Sequence, residues 1–169
     1  GYEPDLSRLD NGIVPPAPVF PERDGPTAFL LHGTSRESKK WPVARWIETG
    51  AALVERGMIP VTTWSNAAEK ETAQAIGAAV PSTVVIEKSP LLEIAGEIGR
   101  ASLVIGADTG LMHLASAFSL PTVALFVATM PGLTGPIGPR SVALTPESGD
   151  GISVGRVLAA AEEMMGKGG

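Results

Sequence analysis

The stretch ASLVIGADTGLMHLASA, residues 101–117, has the pattern of a strand, a sharp turn and a helix. Residues 102–106 form an apolar run of strand length, and Asp108, Thr109 and Gly110 follow as a polar, flexible corner. Apolar residues then recur at helical spacing. In a parallel sheet, a strand–turn–helix unit places a ligand beside the carboxyl end of the strand. The stretch therefore predicts an α/β fold with a binding site at this corner.

The corner also has the chemistry to hold an anion. Asp108 or Thr109 can cap the helix, and the unpaired N–H groups around Gly110 then attract an anion such as a phosphate. His113 follows Gly110 by three residues and shares its helix face. An ordinary N-cap followed by a half-buried helical histidine explains the same residues, and this stretch alone leaves both interpretations open.

Outward from this unit, short apolar segments alternate with segments of helical periodicity. Strands are predicted at residues 27–32, 59–64, 83–86, 102–106, 121–127 and 141–145. Helices are predicted to begin near residues 43, 67, 90, 109 and 154. The alternation predicts a Rossmann-like α/β domain, a parallel sheet of about six strands with helices on both faces.

The first 26 residues differ in composition from the rest. They contain six prolines, which exclude a helix or a central strand. We therefore predict an extended linker or arm at residues 1–26 and a ligand-binding domain at residues 27–169. The chain does not begin with methionine, which suggests a fragment of a longer protein.

The composition argues against several functional classes. The net charge of −5 disfavours a nucleic-acid surface. The absence of cysteine excludes disulfides and thiolate metal sites and fits a reducing cytoplasm. No histidine–carboxylate cluster has metal-ligand spacing, so no metal is expected. The longest apolar run, residues 123–128, is far too short to span a membrane. Neither a Gly-x-Gly-x-x-Gly nor a Walker motif is present.

Because strand ends of a parallel sheet share one edge, the loops that leave them line one crevice. These loops are residues 32–40, 64–69, 87–90, 108–113 and 128–135. The first contains the Thr34 and Ser35 hydroxyls and the cations Arg36, Lys39 and Lys40. Lysine neutralises a diphosphate well, although a solvated loop rich in charge explains the same residues.

Two further residues of the crevice have competing interpretations. Glu69 stands at capping-box distance from Asn66, which explains it locally. Its carboxylate also suits the two hydroxyls of a ribose. Trp64 ends a strand and is suited either to a base pocket or to the core.

Two motifs together resemble those of a known family. HGTSRESKKWP at residues 32–42 and DTGLMHLA at residues 108–115 are similar to motifs of the ADP-heptose:lipopolysaccharide heptosyltransferases. These enzymes form glycosyltransferase family nine and have the two-domain GT-B fold. The first motif looks most like that of the heptosyltransferase I group. The resemblance runs from about residue 28 to the last helix and covers the C-terminal, donor-binding half. Residues 127–131, VATMP, depart from the family's Gly-Pro-Thr pattern.

The resemblance implies how a diphosphate would be held. Thr34, Ser35 and Lys39 would contact the diphosphate of ADP-heptose, and Lys39 would also stabilise the departing ADP. The amides of Thr109 and Gly110 would bind phosphate oxygens.

The resemblance also implies roles around the rest of the donor. Glu69 would bind the ribose, and the main chain near Lys88 and Ser89 would border the adenine. Ser89 stands where some relatives have a larger apolar residue. Asp108 would bind heptose hydroxyls, and His113 would lie beside the phosphates.

The activity implied is transfer of L-glycero-D-manno-heptose from ADP-heptose to the Kdo of lipid A. It would be a single inverting displacement at the cytoplasmic face of the bacterial inner membrane, with no metal or cofactor. The catalytic carboxylate, the acceptor site and any membrane contact would belong to the N-terminal domain, so this chain alone would bind the donor without significant transfer. Alternatives are heptosyltransferase II, another nucleotide-sugar transferase of the family, or a non-catalytic module that binds adenine nucleotides.

Overall fold

A computed structural model describes residues 14–34, 37–107, 109–127, 140–146 and 149–166. These residues form one six-stranded sheet in which every pairing is parallel. The strands are β1 (Thr27–Leu31), β2 (Ile59–Thr63), β3 (Val84–Ile86), β4 (Leu103–Ala107), β5 (Thr122–Leu125) and β6 (Ser141–Leu144). The predicted six-stranded α/β fold is confirmed.

Five α-helices follow the strands in the described residues. They are α1 (Val43–Glu55), α2 (Ala67–Ala79), α3 (Leu91–Gly99), α4 (Gly110–Ala117) and α5 (Val154–Gly166). A single 3-10 turn, Glu37–Lys39, precedes α1. None of the helices in this part of the chain is long and apolar enough to cross a membrane.

The strands lie in the order β3-β2-β1-β4-β5-β6, and the side of the sheet on which successive strands are added changes between β1 and β4. The chain first adds β2 and β3 on one side of β1, then crosses over and adds β4 to β6 on the other side. β1 and β4 pair as far as Leu31 and Gly106. The connections that leave these two strands therefore diverge and leave a crevice at their carboxyl ends.

Each face of the sheet has its own hydrophobic core. Side chains alternate along a strand, so Leu30 of β1 points to one face and Phe29 to the other. The first core includes Trp46 of α1 and Val157 of α5. The second includes Ile98 of α3, and Met112 and Ala115 of α4 belong to it as well. Helices thus cover both faces, as the sequence predicts.

Polar caps fix where three helices begin. The side chains of Asn66, Thr109 and Ser153 accept hydrogen bonds from the backbone N–H three residues on. Of the two candidates at the central corner, Thr109 is therefore a cap in the described chain. Pro42 occupies the N-cap position of α1 and provides no side-chain hydrogen bond. Gly57 follows α1 with φ of +81°, a conformation that favours glycine.

Residues 14–26 contain no helix or strand, as the prolines predict, yet they pack against α3. The link centres on Glu97, which is only 2% exposed. Its carboxylate pairs with Arg100 at 2.5 Å and with Arg23 at 3.4 Å. Arg100 also donates to the carbonyl oxygen of Pro21 at 2.7 Å. That residues 1–26 form a linker outside the ligand-binding domain stays a prediction.

Removing one partner from the Glu97 cluster should cost several times more stability than removing one partner from an exposed ion pair. Glu97→Ala leaves the guanidinium groups of Arg23 and Arg100 without their carboxylate, so we expect the unfolding free energy to fall by about 3 kcal/mol. The control is Glu162→Ala, which removes an exposed pair with Arg56 (60% and 38% exposed). Its loss should cost less than about 1 kcal/mol. Urea unfolding measures both, and equal losses would contradict this account.

Candidate functional site

A cavity of about 850 Å³ opens at the carboxyl edge of the sheet. We call it the edge cleft. It is lined by the ends of β1 and β2, the loop before α3 and the first turns of α2, α3 and α4. Its lining residues are Leu31, His32, Gly33, Thr34, Thr63, Trp64, Ser65, Asn66, Glu69, Ser89, Leu91, Ile94, Thr109, Gly110, Leu111, His113 and Leu114. The volume suits a ligand of nucleotide size.

The first turn of α4 forms one wall of the edge cleft. The Thr109 hydroxyl accepts the Met112 N–H at 3.2 Å, which satisfies one of the unpaired amides of the helix start. The amides of Gly110 and Leu111 also belong to this turn, and Gly110 is exposed. Their N–H groups have no carbonyl partner within the helix, so this wall is suited to an anion.

His113 lines the same wall, one turn further along α4, and is half-buried. Thr109, Gly110 and His113 are therefore brought together, as their spacing predicts. The cap interpretation of Thr109 is confirmed and is compatible with its place in the edge cleft. Asp108 lies outside the described residues.

The loop after β1 forms another wall of the edge cleft. Gly33 and Thr34 line the edge cleft. The Thr34 hydroxyl is buried and has no hydrogen-bond partner in the described chain. A buried hydroxyl without a partner is uncommon, and a bound ligand would satisfy it. Ser35 and Arg36 lie outside the described residues.

The two lysines of this loop occupy different places. Lys39 ends the 3-10 turn and is not among the residues that line the edge cleft. Lys40 lines a smaller cavity of about 30 Å³, together with His32 and Glu69. The structure thus places Lys40 beside His32 and Glu69, two residues that also line the edge cleft.

Glu69 serves both as a local cap and as a wall of the edge cleft. Its N–H donates to the Asn66 side chain at 2.9 Å. Its carboxylate accepts from the Ser65 N–H at 3.2 Å and from the Ser65 hydroxyl at 2.6 Å. The other carboxylate oxygen lies so close to Gly33 that a Cβ there would collide with it. The carboxylate is therefore held at the cleft surface from two sides.

Of the two residues predicted to border the adenine, Lys88 and Ser89, only Ser89 is among those that line the edge cleft. Ser89 lines it, and its hydroxyl donates to the Glu87 carbonyl oxygen at 2.7 Å. Lys88 is exposed and is not among the lining residues. The loop after β5, residues 128–139, lies outside the described residues.

The sequence interpretation missed an apolar wall. It consists of Leu91 and Ile94 of α3 and Leu111 and Leu114 of α4. Leu91 is 66% exposed and its neighbour Leu92 is 69% exposed, so two adjacent large apolar side chains are left open to solvent. Helical periodicity identifies the apolar stripe of a helix but does not show which apolar residue borders a cleft. The sequence signal for this wall is the pair of adjacent leucines, Leu91 and Leu92, at the start of α3.

Trp64 also lines the edge cleft and is half-buried. The ammonium of Lys70 lies 4.9 Å from the centre of its ring. Trp64 thus belongs to the cleft rather than wholly to the core. Among all the described residues, including those of the edge cleft, no group of three His, Asp or Glu side chains is arranged to hold a metal ion.

His32 is the first residue of the HGTSRESKKWP motif. It is buried at the end of β1, and its Nε2 donates to the Thr63 carbonyl oxygen at 3.1 Å, which ties the ends of β1 and β2 together. Burial lowers the pKa of His32, and the Lys40 charge adds to this, while Glu69 and the Thr63 carbonyl act in the opposite direction. The neutral ring is the form that the fold favours.

This pKa predicts how stability depends on pH. In the unfolded chain His32 takes up a proton near pH 6.5, whereas the native protein resists it until a lower pH. The unfolding free energy should therefore fall as the pH drops from about 7 to about 5, before most carboxylates titrate. His32→Gln should flatten this slope, and His113→Gln should keep it because His32 remains. Urea unfolding across the range measures it, and an unchanged slope in His32→Gln would refute the assignment.

Comparison with known proteins shows which family this chain resembles. The family model for glycosyltransferase family 9 (heptosyltransferase) matches residues 10–157. Lipopolysaccharide heptosyltransferase 1 of Pseudomonas aeruginosa is 38% identical over 119 residues, 70% of this chain and 34% of that protein. The Escherichia coli K12 enzyme of the same name is 32% identical over 119 residues, 70% of this chain and 37% of that protein.

Among solved structures, E. coli heptosyltransferase WaaC with ADP matches with a TM-score of 0.79 and 28% identity. That match covers 85% of this chain and 46% of the other. The present chain thus spans about a third of the length of these curated relatives. The family match, the six-stranded parallel sheet and the edge cleft at the β1–β4 reversal agree, and the chain belongs to glycosyltransferase family 9, the heptosyltransferases.

Proposed function

We propose that this chain is the donor-binding part of a heptosyltransferase and that it binds ADP-heptose in the edge cleft. The observation that carries the proposal is the start of α4, where the Thr109-capped turn lines the same cavity as Thr34 of the loop after β1. The relatives named lipopolysaccharide heptosyltransferase 1 support it. So does a structural match at 27% identity and a TM-score of 0.73, E. coli WaaC with ADP-2-deoxy-2-fluoro heptose.

The diphosphate would lie between these two walls. The N–H groups at Thr109 and Gly110 would bind its oxygens, helped by the positive end of the α4 dipole. Thr34, whose buried hydroxyl has no partner in the described chain, would donate to it, as would Ser35. Lys39 would supply a positive charge, although it is not among the residues lining the edge cleft.

The nucleoside would extend toward α2 and α3. Glu69, held by Ser65, would accept hydrogen bonds from the ribose hydroxyls. The adenine would lie along the main chain near Lys88 and Ser89, with the apolar wall beneath it. An uncharged base suits such a wall because it buries apolar surface without a charge to desolvate.

The heptose would lie at the other end of the edge cleft. Asp108 would accept hydrogen bonds from its hydroxyls, and His113 would lie beside the phosphates. The sugar would then be presented outward from the carboxyl edge of the sheet, toward an acceptor bound elsewhere in the enzyme.

In the reaction, an acceptor hydroxyl of Kdo on lipid A attacks the anomeric carbon of heptose from the face opposite ADP. The new glycosidic bond forms, the bond to the β-phosphate oxygen breaks with its electron pair, and the hydroxyl proton passes to a carboxylate. This base, like the acceptor site, would belong to the N-terminal domain of the full enzyme. Negative charge grows on the departing ADP, where Lys39 and the α4 amides would stabilise it without a metal or cofactor.

The full enzyme would work at the cytoplasmic face of the bacterial inner membrane, where its lipid acceptor lies. We assign heptosyltransferase 1 activity to the full enzyme in preference to heptosyltransferase 2 activity. The Pseudomonas aeruginosa and Escherichia coli heptosyltransferases 1 are 38% and 32% identical to this chain, whereas the Haemophilus influenzae lipooligosaccharide heptosyltransferase 2 is 26% identical over 123 residues. Transfer by this chain alone is expected to be insignificant.

A thermal-shift titration tests the proposal. ADP-heptose at about a hundred times its Kd should add about 2.7 kcal/mol, a rise in Tm of about 5–10 °C. ADP should give a smaller rise and UDP none. Asp108→Ala should lose the increment due to the sugar, whereas Asp24→Ala, an exposed residue away from the edge cleft, should keep it.

Equal shifts with ADP and ADP-heptose would instead identify a non-catalytic module that binds adenine nucleotides. A rise with another nucleotide sugar, and none with ADP-heptose, would indicate a different transferase of the family. No shift with any nucleotide would contradict binding by this chain.

A further inference from the structure

We propose that residues 14–23, which we call the strap, set the position of α3 and so shape the adenine side of the edge cleft. Arg23, Glu97 and Arg100 are then positioning residues for donor binding. This inference rests on the function proposed above for the edge cleft. It rests structurally on α3 being held between the strap and the sheet.

Two glycines let the strap lie directly on the helix. A Cβ at Gly96 would come within 2.9 Å of the Ala17 carbonyl oxygen, and one at Gly99 would collide with the Pro15 ring. Any larger residue at these positions would push the strap away. The close approach therefore depends on backbone-to-backbone contact, which leaves α3 little freedom to shift outward.

Charged groups fasten the far end of the strap. The buried Glu97 carboxylate joins Arg23 of the strap to Arg100 at the end of α3. Arg100 also donates to the Pro21 carbonyl oxygen at 2.7 Å. Phe20 packs against the hydrophobic core on this face of the sheet. The strap is thus held by ion pairs, a hydrogen bond and apolar contact.

The opposite side of α3 meets both the core and the ligand site. Ile94 and Ile98 are buried in the core between α3 and the sheet. Leu91 and Ile94 line the edge cleft, as does Ser89 just before the helix. α3 has nine residues and so is about 13 Å long. A displacement at Gly96–Arg100 is carried by this short, rigid helix to the cleft wall.

The test compares two ligands that reach different parts of the edge cleft. Isothermal titration calorimetry would measure the Kd of ADP and of inorganic pyrophosphate for the full chain. Gly99→Ala pushes against Pro15 while favouring the helix, and Glu97→Gln removes the charge that holds Arg23. The control is Gly155→Ala, a helical glycine with open space where the Cβ would go.

Gly99→Ala and Glu97→Gln should each weaken ADP binding on the order of tenfold, because the preformed wall is lost, and leave pyrophosphate binding within about twofold. Gly155→Ala should change neither. ADP affinity unchanged in both variants would overturn the strap's role, and so would equal losses for the two ligands. If the parent chain binds neither ligand, the proposed function fails, and this inference fails with it. If Glu97→Gln does not fold, Gly99→Ala decides.

Discussion

The parallel pairing of β1 with β4 is the constraint on which the rest of the structure depends. It brings together two strands that are 72 residues apart in the sequence, counted from Leu31 at the end of β1 to Leu103 at the start of β4. The loop after β1 then turns one way and the turn before α4 the other. The space between them is where the edge cleft forms. Thr109 and Thr34 face the same cavity only because this pairing exists.

The polar residues of the edge cleft are built into local structure rather than added to it. Thr109 caps α4, Asn66 caps α2, and Ser65 holds the carboxylate of Glu69. Each cap stabilises a helix start in the absence of ligand. The conformational entropy of these side chains is therefore already lost on folding, so a ligand would bind to groups that are already ordered. His32 adds to this by joining the ends of β1 and β2 in its neutral form.

Local patterns in the sequence predicted much of this site. The spacing of Thr109, Gly110 and His113 predicted a shared helix face, and the structure places all three in the edge cleft. The distance from Asn66 to Glu69 predicted the cap. The apolar wall escaped prediction because helical spacing indicates which apolar residues share a face of a helix, and not which part of that face borders a cleft, as Leu91 and Ile94 do. The position of Lys40 beside His32 and Glu69 depends on the geometry of the loop, which no short-range rule determines.

The contacts of the strap are another feature that short-range sequence patterns do not predict. Its prolines predicted an extended segment, but nothing local linked them to Gly96 and Gly99, about 80 residues away in the sequence. Long-range packing of this kind is set by shape and by the burial of Glu97, and neither has a sequence period. The prolines therefore indicated the conformation of the segment and not its contacts.

The central claim is that the α4 turn holds the diphosphate of the donor. Amide NMR spectra of the isotope-labelled chain, titrated with ADP, test it most directly. The account predicts that the amide signals of Thr109, Gly110 and Leu111 shift most, with Thr34 beside them, and that they saturate together. Large shifts confined to residues outside the edge cleft, with the α4 turn unmoved, would contradict it.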